Sequence, residues 1–185
     1  MTQAELLRYL VEALDGLGLT YMVGGSHAAM YYGEPRLTRD VDIVVALTLD
    51  RLRDLLQRFP PDHFYVDAEA ARDAVETSGQ FNIIHPDSGL KIDVYVNPDT
   101  PYDRERLARR HRLPLVPGVD AYFARPEDVI LYKLIYAQDG GELHLRDVIG
   151  IVRVSGPDLD ERYLVEWADR LGVRALWERV RGQAG

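Results

Sequence analysis

Two aspartates separated by one residue lie in an otherwise apolar segment, RDVDIVVAL, and this feature constrains the fold most strongly. Alternate side chains of a β-strand point to the same face, so Asp40 and Asp42 share one face while Val41 and Ile43 share the other. Two carboxylates at this spacing repel each other unless a cation lies between them. The aspartate face is therefore not ordinary core, and a divalent metal ion is its natural partner.

Composition limits the kinds of protein that this chain can be. A length of 185 residues and a hydrophobic content of 46% predict one ordered domain, or one domain with a helical appendage. No apolar run approaches the ~20 residues of a membrane span, and the N-terminus lacks the layout of a signal peptide, so we expect a cytoplasmic protein without membrane contact. The net charge of −8 argues against a protein that coats nucleic acid.

The amino acids available as metal ligands and as cations are unusual. The chain has no cysteine, which excludes disulfides and thiolate metal sites and leaves histidine and carboxylate ligands. Of its 22 basic residues only Lys91 and Lys133 are lysines. A position that needs a compact ammonium group would retain lysine, although chance retention is an equally simple explanation.

The N-terminal half predicts alternating helices and strands. Thr2 and Glu5 form a capping box before a first helix, and LTYMVGG predicts a short strand that ends at two glycines. Ser26 is the expected N-cap of a short helix that reaches about Tyr32. The aspartate strand follows, and then helices are expected over residues 50–58 and in the segment AEAARDAVETSG.

The C-terminal half begins with a predicted hairpin and becomes helical. GQFNIIHP and LKIDVYVN are strands separated by a Pro-Asp-Ser-Gly turn, and the second places Asp93 on one face with Lys91 and Tyr95. Short strands are expected over residues 113–116 and 121–123. Pro126 then opens a helix, and three further helices follow, one of them with Asp158 and Glu161 as its capping box.

The Gly24-Gly25-Ser26 turn is a candidate phosphate site. Glycines allow backbone to approach a ligand closely, and the N-terminus of the following helix favours anions. The Ser26 hydroxyl would either bind the ligand or serve only as the helix N-cap. Each of these motifs is common alone, but the order of Gly-Gly-Ser, paired aspartates and a later strand aspartate is more specific.

These motifs resemble those of the nucleotidyltransferases of the DNA polymerase β superfamily. The matching residues are Gly24-Gly25-Ser26, the Asp40/Asp42 pair and Asp93 in KIDVYV. The segment RLTRDVDI is similar to small bacterial members related to abortive-infection and toxin–antitoxin nucleotidyltransferases, and PEDVILYKL and LRDV look like their C-terminal segments. The resemblance implies an α+β fold, with a mixed β-sheet flanked by helices and a helical C-terminal portion. It suggests a nucleotidyltransferase domain over residues 1–125 and a helical portion over 126–185.

The resemblance also implies an activity and its residues. Such an enzyme transfers a nucleoside monophosphate from an NTP such as ATP to an acceptor hydroxyl and releases pyrophosphate. Two Mg²⁺ or Mn²⁺ ions would be bound by the catalytic carboxylates, which are Asp40, Asp42 and Asp93. The nucleotide would be bound by the glycine turn and by basic side chains, namely Gly24, Gly25, Ser26, Arg36, Arg39 and Lys133.

Several charged and aromatic residues have two interpretations at this stage. Lys91 would either neutralise Asp93 or take part in binding, and Arg146 with Asp147 would form a surface ion pair or brace the site. The arginine-rich segment 104–112 favours a solvated helix or loop over a phosphate-binding surface, because acidic residues dilute its charge. The histidines lack the spacing of a zinc site, and Trp167 and Trp177 are expected to pack within the helical portion.

Two other functions compete with nucleotidyl transfer. The first is a catalytically silent module with the same fold, such as an antitoxin that contacts a cognate partner protein. The second is a glycosyltransferase with a metal-binding aspartate pair, but this does not explain the Gly-Gly-Ser turn. For an active enzyme the acceptor stays open among a small hydroxylated molecule, a tRNA end and a protein side chain.

Overall fold

The structure is a computed structural model that describes residues 1–38 and 40–184, so the predicted nucleotide ligand Arg39 lies outside the described residues. The chain divides into two compact units. The first contains Met1–Val23 and Thr38–Phe123, and the second contains Gly24–Leu37 and the chain from Ala124 onward. Gly24–Leu37, which we grouped with the N-terminal residues, lies in the second unit, and the domains 1–125 and 126–185 stay a prediction.

The first unit is built on one mixed six-stranded sheet. Its strands are β1 (Tyr21–Val23), β2 (Asp40–Val45), β3 (Gln80–His85), β4 (Leu90–Val96), β5 (His111–Val116) and β6 (Val119–Phe123). Their order is β3-β4-β2-β1-β6-β5. The β2/β4 and β1/β6 pairs are parallel, and the other neighbours are antiparallel, including the predicted β3/β4 hairpin. The predicted mixed sheet is confirmed.

Helices occupy both units. Those of the first unit are α1 (Gln3–Gly16), α3 (Leu49–Gln57), α4 (Ala68–Thr77) and α5 (Pro101–Arg109). Those of the second are α2 (Gly25–Tyr32), α6 (Pro126–Ala137), α7 (Glu142–Ser155), α8 (Glu161–Arg170) and α9 (Arg174–Ala184). The capping box of α1 is confirmed, because Thr2 N donates to Glu5 Oε2 at 2.7 Å and Glu5 N donates to Thr2 Oγ1 at 3.2 Å. Among the described residues no helix combines the length and apolarity that a membrane span requires.

Two predicted helix starts are wrong by one turn or less. The N-cap of α2 is Gly24 rather than Ser26, and Gly25 has a φ of +50°, a conformation that favours glycine. The N-cap of α8 is Asp160, whose side chain accepts from Tyr163 N, so Asp158 and Glu161 do not form the expected capping box. In both cases a polar residue lay near the true cap, and sequence spacing alone did not identify the right one.

The arginine-rich segment is helical over most of its length, as expected, but it is not wholly solvated. Residues 101–109 form α5, and the side chains of Asp103 and Arg106 are only 5% and 6% exposed. Arg106 Nε donates to Asp103 Oδ1 at 3.0 Å, and its Nη2 donates to Asn97 Oδ1 at 3.1 Å. Burial is possible here because the guanidinium is paired and hydrogen-bonded within the first unit.

In the second unit, α2 packs closely against α7 and α6. A Cβ atom added at Gly33 would lie 2.8 Å from the Ile151 backbone nitrogen, so the chain after α2 lies directly against the α7 backbone. Helix α6 is tied to α8, because Asp128 Oδ1 accepts from the Tyr163 hydroxyl at 2.8 Å. Trp167 and Trp177 are buried in this unit, as expected. This packing fixes the side chains that α2, α6 and α7 bring together.

Candidate functional site

Parallel pairing of β2 and β4 brings three aspartates onto one face of the sheet. Asp42 lies in register with Asp93, and Asp40 lies in register with Lys91. Register partners on neighbouring strands point to the same face, so these four side chains are neighbours. Asp93 is buried, whereas the Asp40 side chain is 50% exposed and Asp42 is half-buried. The face is therefore a carboxylate surface that is buried at one end and open at the other.

Lys91 is a cation on this carboxylate face. Its Nζ lies 2.9 Å from Asp93 Oδ1 and 3.7 Å from Asp40 Oδ2, so one ammonium contacts carboxylates on two strands. Its interaction with Asp93 raises the pKa of Lys91, although burial acts in the opposite direction. Burial raises the pKa of Asp93, Lys91 lowers it, and the charges of Asp42 and Asp40 raise it further. The repulsion among the carboxylates is thus only partly relieved by the lysine.

The carboxylate face offers the oxygen ligands that a hard cation prefers, although its side chains are not arranged as a complete metal site. Among the residues that the structure describes, no group of three histidine, cysteine, aspartate or glutamate side chains is arranged to hold a metal ion. Asp93 Oδ1 is buried and forms an ion pair with Lys91 Nζ at 2.9 Å. Carboxylate oxygens are what Mg²⁺ and Mn²⁺ prefer, so the Asp42 and Asp93 side chains fit such an ion.

A second polar cluster forms within the second unit around Asp147 of α7. Arg36 Nε and Nη2 donate to Asp147 Oδ1 and Oδ2 at 3.0 and 3.2 Å, and Lys133 Nζ of α6 donates to Oδ2 at 2.7 Å. Arg36 Nη2 also donates to the Ser26 hydroxyl at 2.5 Å. The Lys133 and Asp147 side chains are 6% and 7% exposed, so Asp147 is a buried carboxylate that fixes two cations at once. We call these four residues the α2/α7 cluster.

The α2/α7 cluster has the electrostatics of an anion site. Burial raises the pKa of Asp147, but the hydrogen bonds and charges of Arg36 and Lys133 outweigh burial and hold it below its usual range. Asp147 is therefore ionised, and two cations facing one carboxylate leave an excess positive charge. Ser26 lies in the first turn of α2, where the helix dipole is also positive. An incoming anion would be stabilised by both effects.

Each unit thus gathers one part of the predicted site. Asp40, Asp42 and Asp93 lie together in the first unit, and the second unit contains the remaining described residues, which are Gly24, Gly25, Ser26, Arg36 and Lys133. Sequence reasoning left Lys91 and Asp147 open. Their ion pairs favour the neutralising role for Lys91 and the bracing role for Asp147. The signal for Asp147 was its place in the LRDV segment.

Comparison with known proteins identifies the fold. A nucleotidyltransferase-like antigen of Paracoccidioides brasiliensis aligns with 97% of this chain and 92% of its own, at 20% identity and a TM-score of 0.59. ANT(2'')-Ia in complex with adenylyl-2''-tobramycin aligns with 95% of this chain and 99% of its own, at 16% identity and a TM-score of 0.62. The chain has the nucleotidyltransferase fold.

A third structure with this nucleotidyltransferase fold is the lincosamide antibiotic adenylyltransferase LnuA with lincomycin bound. It covers 80% of this chain and 94% of its own, at 12% identity and a TM-score of 0.55. No protein-family profile matches the sequence, and a comparison with curated proteins found no match. The fold that the sequence resemblance implied is confirmed, and the argument for activity rests on this chain's own residues.

Proposed function

We propose that this protein is a metal-dependent nucleotidyltransferase that transfers a nucleoside monophosphate from an NTP to an acceptor hydroxyl. The observation that carries the proposal is the register of β2 and β4, which sets Asp42 beside Asp93 and leaves Asp40 on the same face of a nucleotidyltransferase fold. Lys91 offsets only part of the repulsion among these three carboxylates, and a divalent cation would offset the rest.

Asp40, Asp42 and Asp93 are assigned to hold Mg²⁺ or Mn²⁺. The ions, when bound, supply charge neutralisation at the phosphates and lower the pKa of the acceptor hydroxyl. Asp93 is also assigned to assist deprotonation of that hydroxyl. The acceptor oxygen bonds to the α-phosphorus, the bond between that phosphorus and its bridging oxygen breaks, and pyrophosphate leaves.

The α2/α7 cluster is assigned to bind the triphosphate. Arg36 and Lys133 supply positive charge, Ser26 supplies a hydroxyl, and the Gly24-Gly25 turn allows the backbone to approach the phosphates. Arg39, as the sequence predicts, is a further phosphate ligand in this proposal. Asp147 is a positioning residue, because it fixes the two cations and does not itself suit contact with an anion. Catalysis then depends mainly on positioning and on fixed charge.

One observation favours a catalytically silent module instead. Lys91 already neutralises Asp93, the most buried of the three carboxylates, so the face has a counter-charge without any metal. A chain that had lost activity and kept the fold to contact a cognate partner, as an antitoxin does, would suit such a pairing. A nucleotidyl-transfer assay distinguishes such a silent, antitoxin-like module from an active enzyme.

The test is to incubate the protein with Mg²⁺, a cell extract and each of the four α-³²P-labelled NTPs in turn. We expect one NTP to label a single acceptor class, whether small molecules, tRNA or protein. Tobramycin and lincomycin belong in the small-molecule panel, because two structures of similar fold contain adenylyl-2''-tobramycin and lincomycin. Asp42→Asn with Asp93→Asn should abolish labelling, whereas Asp87→Asn, at an exposed carboxylate of the hairpin turn, should not. Absence of label with every NTP would favour the silent module.

A further inference from the structure

Lys91 occupies a special place on the carboxylate face. Its ammonium lies within 3.7 Å of carboxylates from both β2 and β4, and one of these, Asp93, has a side chain only 9% exposed. The Lys91 side chain itself is 31% exposed, so it reaches the buried carboxylate from the solvent side. The Lys91 ammonium therefore contacts the carboxylates from the solvent side, as a dissolved cation would, while the Lys91 backbone is part of β4.

We propose that Lys91 is a tethered counter-cation whose ammonium must leave Asp93 when a divalent metal ion binds the aspartates. This inference rests on the metal site of the proposed function and deepens it. In the metal-free protein the ammonium relieves the repulsion among Asp40, Asp42 and Asp93. Metal binding exchanges one cation for another, and the net affinity for metal is lowered by the ion pair that is broken.

The chemistry of lysine suits this role. An ammonium on a flexible four-carbon chain is a compact point charge with freely rotating donors, whereas a guanidinium makes a fixed planar fork. The structure places lysine here in a chain whose other basic residues, apart from Lys133, are arginines. Departure of the ammonium needs only side-chain rotation toward solvent, because the β4 backbone stays paired with β2 and β3.

The first experiment measures Mn²⁺ affinity of the full-length protein by the electron paramagnetic resonance signal of free Mn²⁺. Lys91→Met removes the competing charge and keeps the side-chain length, so we expect Mn²⁺ to bind about fivefold more tightly than in the wild type, the effect of one partly exposed ion pair. Arg72→Met is the matched control, since it removes one positive charge from an exposed helical position of the same unit. It should leave the affinity unchanged.

The second experiment uses the wild-type protein and so does not depend on the folding of any variant. Because Lys91 and Lys133 are the only two lysines, ¹³Cε-lysine labelling gives two NMR signals, and Lys91→Met or Lys91→Gln assigns them. Diamagnetic Mg²⁺ should move the Lys91 signal toward the shift of a lysine without an ion pair. The Lys133 signal should move much less.

The outcomes separate this inference from the proposed function. Mn²⁺ affinity of Lys91→Met equal to or weaker than that of the wild type, or a Lys91 signal unmoved at saturating Mg²⁺, would overturn it. Failure of both proteins to bind Mn²⁺ would also overturn it. Tighter metal binding by Lys91→Met together with no NTP labelling in any condition would support the inference and contradict the transferase function.

Discussion

Asp147 connects stability to pH because it is a buried carboxylate between two cations. Arg36 and Lys133 hold its pKa below the ordinary value of 3.8 in spite of burial. A carboxylate whose pKa is lower in the folded state stabilises the protein above its unfolded pKa, and this contribution disappears as the pH falls through the folded value. Asp147→Asn should therefore flatten the loss of stability below about pH 4, measured by urea unfolding between pH 2 and pH 6.

Asp147→Asn should also lower stability near pH 7, where the wild type has the full ion pairs. An exposed carboxylate offers the control, and Asp87→Asn should keep the wild-type dependence on pH. If Asp147→Asn and the wild type lose stability equally as the pH falls, the Asp147 carboxylate is not the group that makes folding depend on pH in this range.

Arg106 gives a prediction about a buried ion pair. Replacing it with methionine leaves Asp103 buried without its cation, so the free energy of unfolding should fall by about 3–5 kcal/mol. Arg104 lies two residues earlier in α5, and its side chain is 58% exposed beside Asp99. Arg104→Met should change stability by no more than about 1 kcal/mol. Chemical denaturation of the two variants measures the difference, and equal effects would refute the structural role of Arg106.

At the residue scale, the sequence predicted the aspartate face but not which other charges are buried. Alternation along a strand is local, so Asp40 and Asp42 could be placed on one face without knowledge of the rest of the chain. Asp147 is 111 residues from Arg36. Its burial, like the pairing of Arg106 with Asn97, depends on contacts that local pattern does not contain.

At the scale of elements, the close approach of α2 and α7 depends on Gly33. Its φ is negative, at −134°, and the requirement for glycine is one of space, because a Cβ would lie 2.8 Å from Ile151 N and 2.9 Å from Gly150 C. Gly33→Ala should lower stability by about 1–3 kcal/mol, as overpacking does. It should also move α2 from α7 and disturb the Arg36–Asp147 contact.

Gly182 in α9 of the same unit is the control for this glycine. An added Cβ there meets nothing within 4 Å, so Gly182→Ala should leave stability unchanged or raise it slightly through better helix propensity. Thermal unfolding of both variants distinguishes the two sites. If Gly33→Ala leaves the Tm unchanged, the chain after α2 can move away from α7 without loss of stability. Their close contact then does not hold the α2/α7 cluster together.

The elements themselves were predictable where the sequence carried strong local signals. The capping box of α1, the hairpin turn between β3 and β4, and Pro126 at the start of α6 are such signals, and each element formed as expected. Helix α5 was harder because its charged residues, Arg106 and Asp103, form part of its buried face. The start of α2 differed because glycine at positive φ, not serine, sets the helix entry.

At the scale of the whole molecule, the fold was predictable because motif order is a global property of the chain. The Gly-Gly-Ser turn, the aspartate strand and KIDVYV follow one another in an order that resembles the nucleotidyltransferases. That resemblance implied the nucleotidyltransferase fold, and solved structures with this fold confirm it. The division of the chain into two compact units was not predictable in the same way. Gly24–Leu37 follows β1 directly in sequence, yet its packing partners are helices a hundred residues later.

The assignment of metal to the three aspartates and of triphosphate to the α2/α7 cluster predicts how ligands stabilise the protein. A non-hydrolysable NTP with Mg²⁺, at 100 times its Kd, should add about 2.7 kcal/mol of stability, or roughly 5–10 °C in Tm for a chain of this length.

Lys133→Met leaves Asp147 paired with Arg36 but removes one cation from the α2/α7 cluster. If its Kd rises tenfold, its own ligand-induced shift should be smaller by about 1.3 kcal/mol, or roughly 3–5 °C. Asp42→Asn with Asp93→Asn should lose the part of the shift that requires Mg²⁺, and Arg72→Met should keep the full shift. A wild-type shift in Lys133→Met, measured by differential scanning fluorimetry from its own ligand-free Tm, would remove Lys133 from the triphosphate site and leave it as packing.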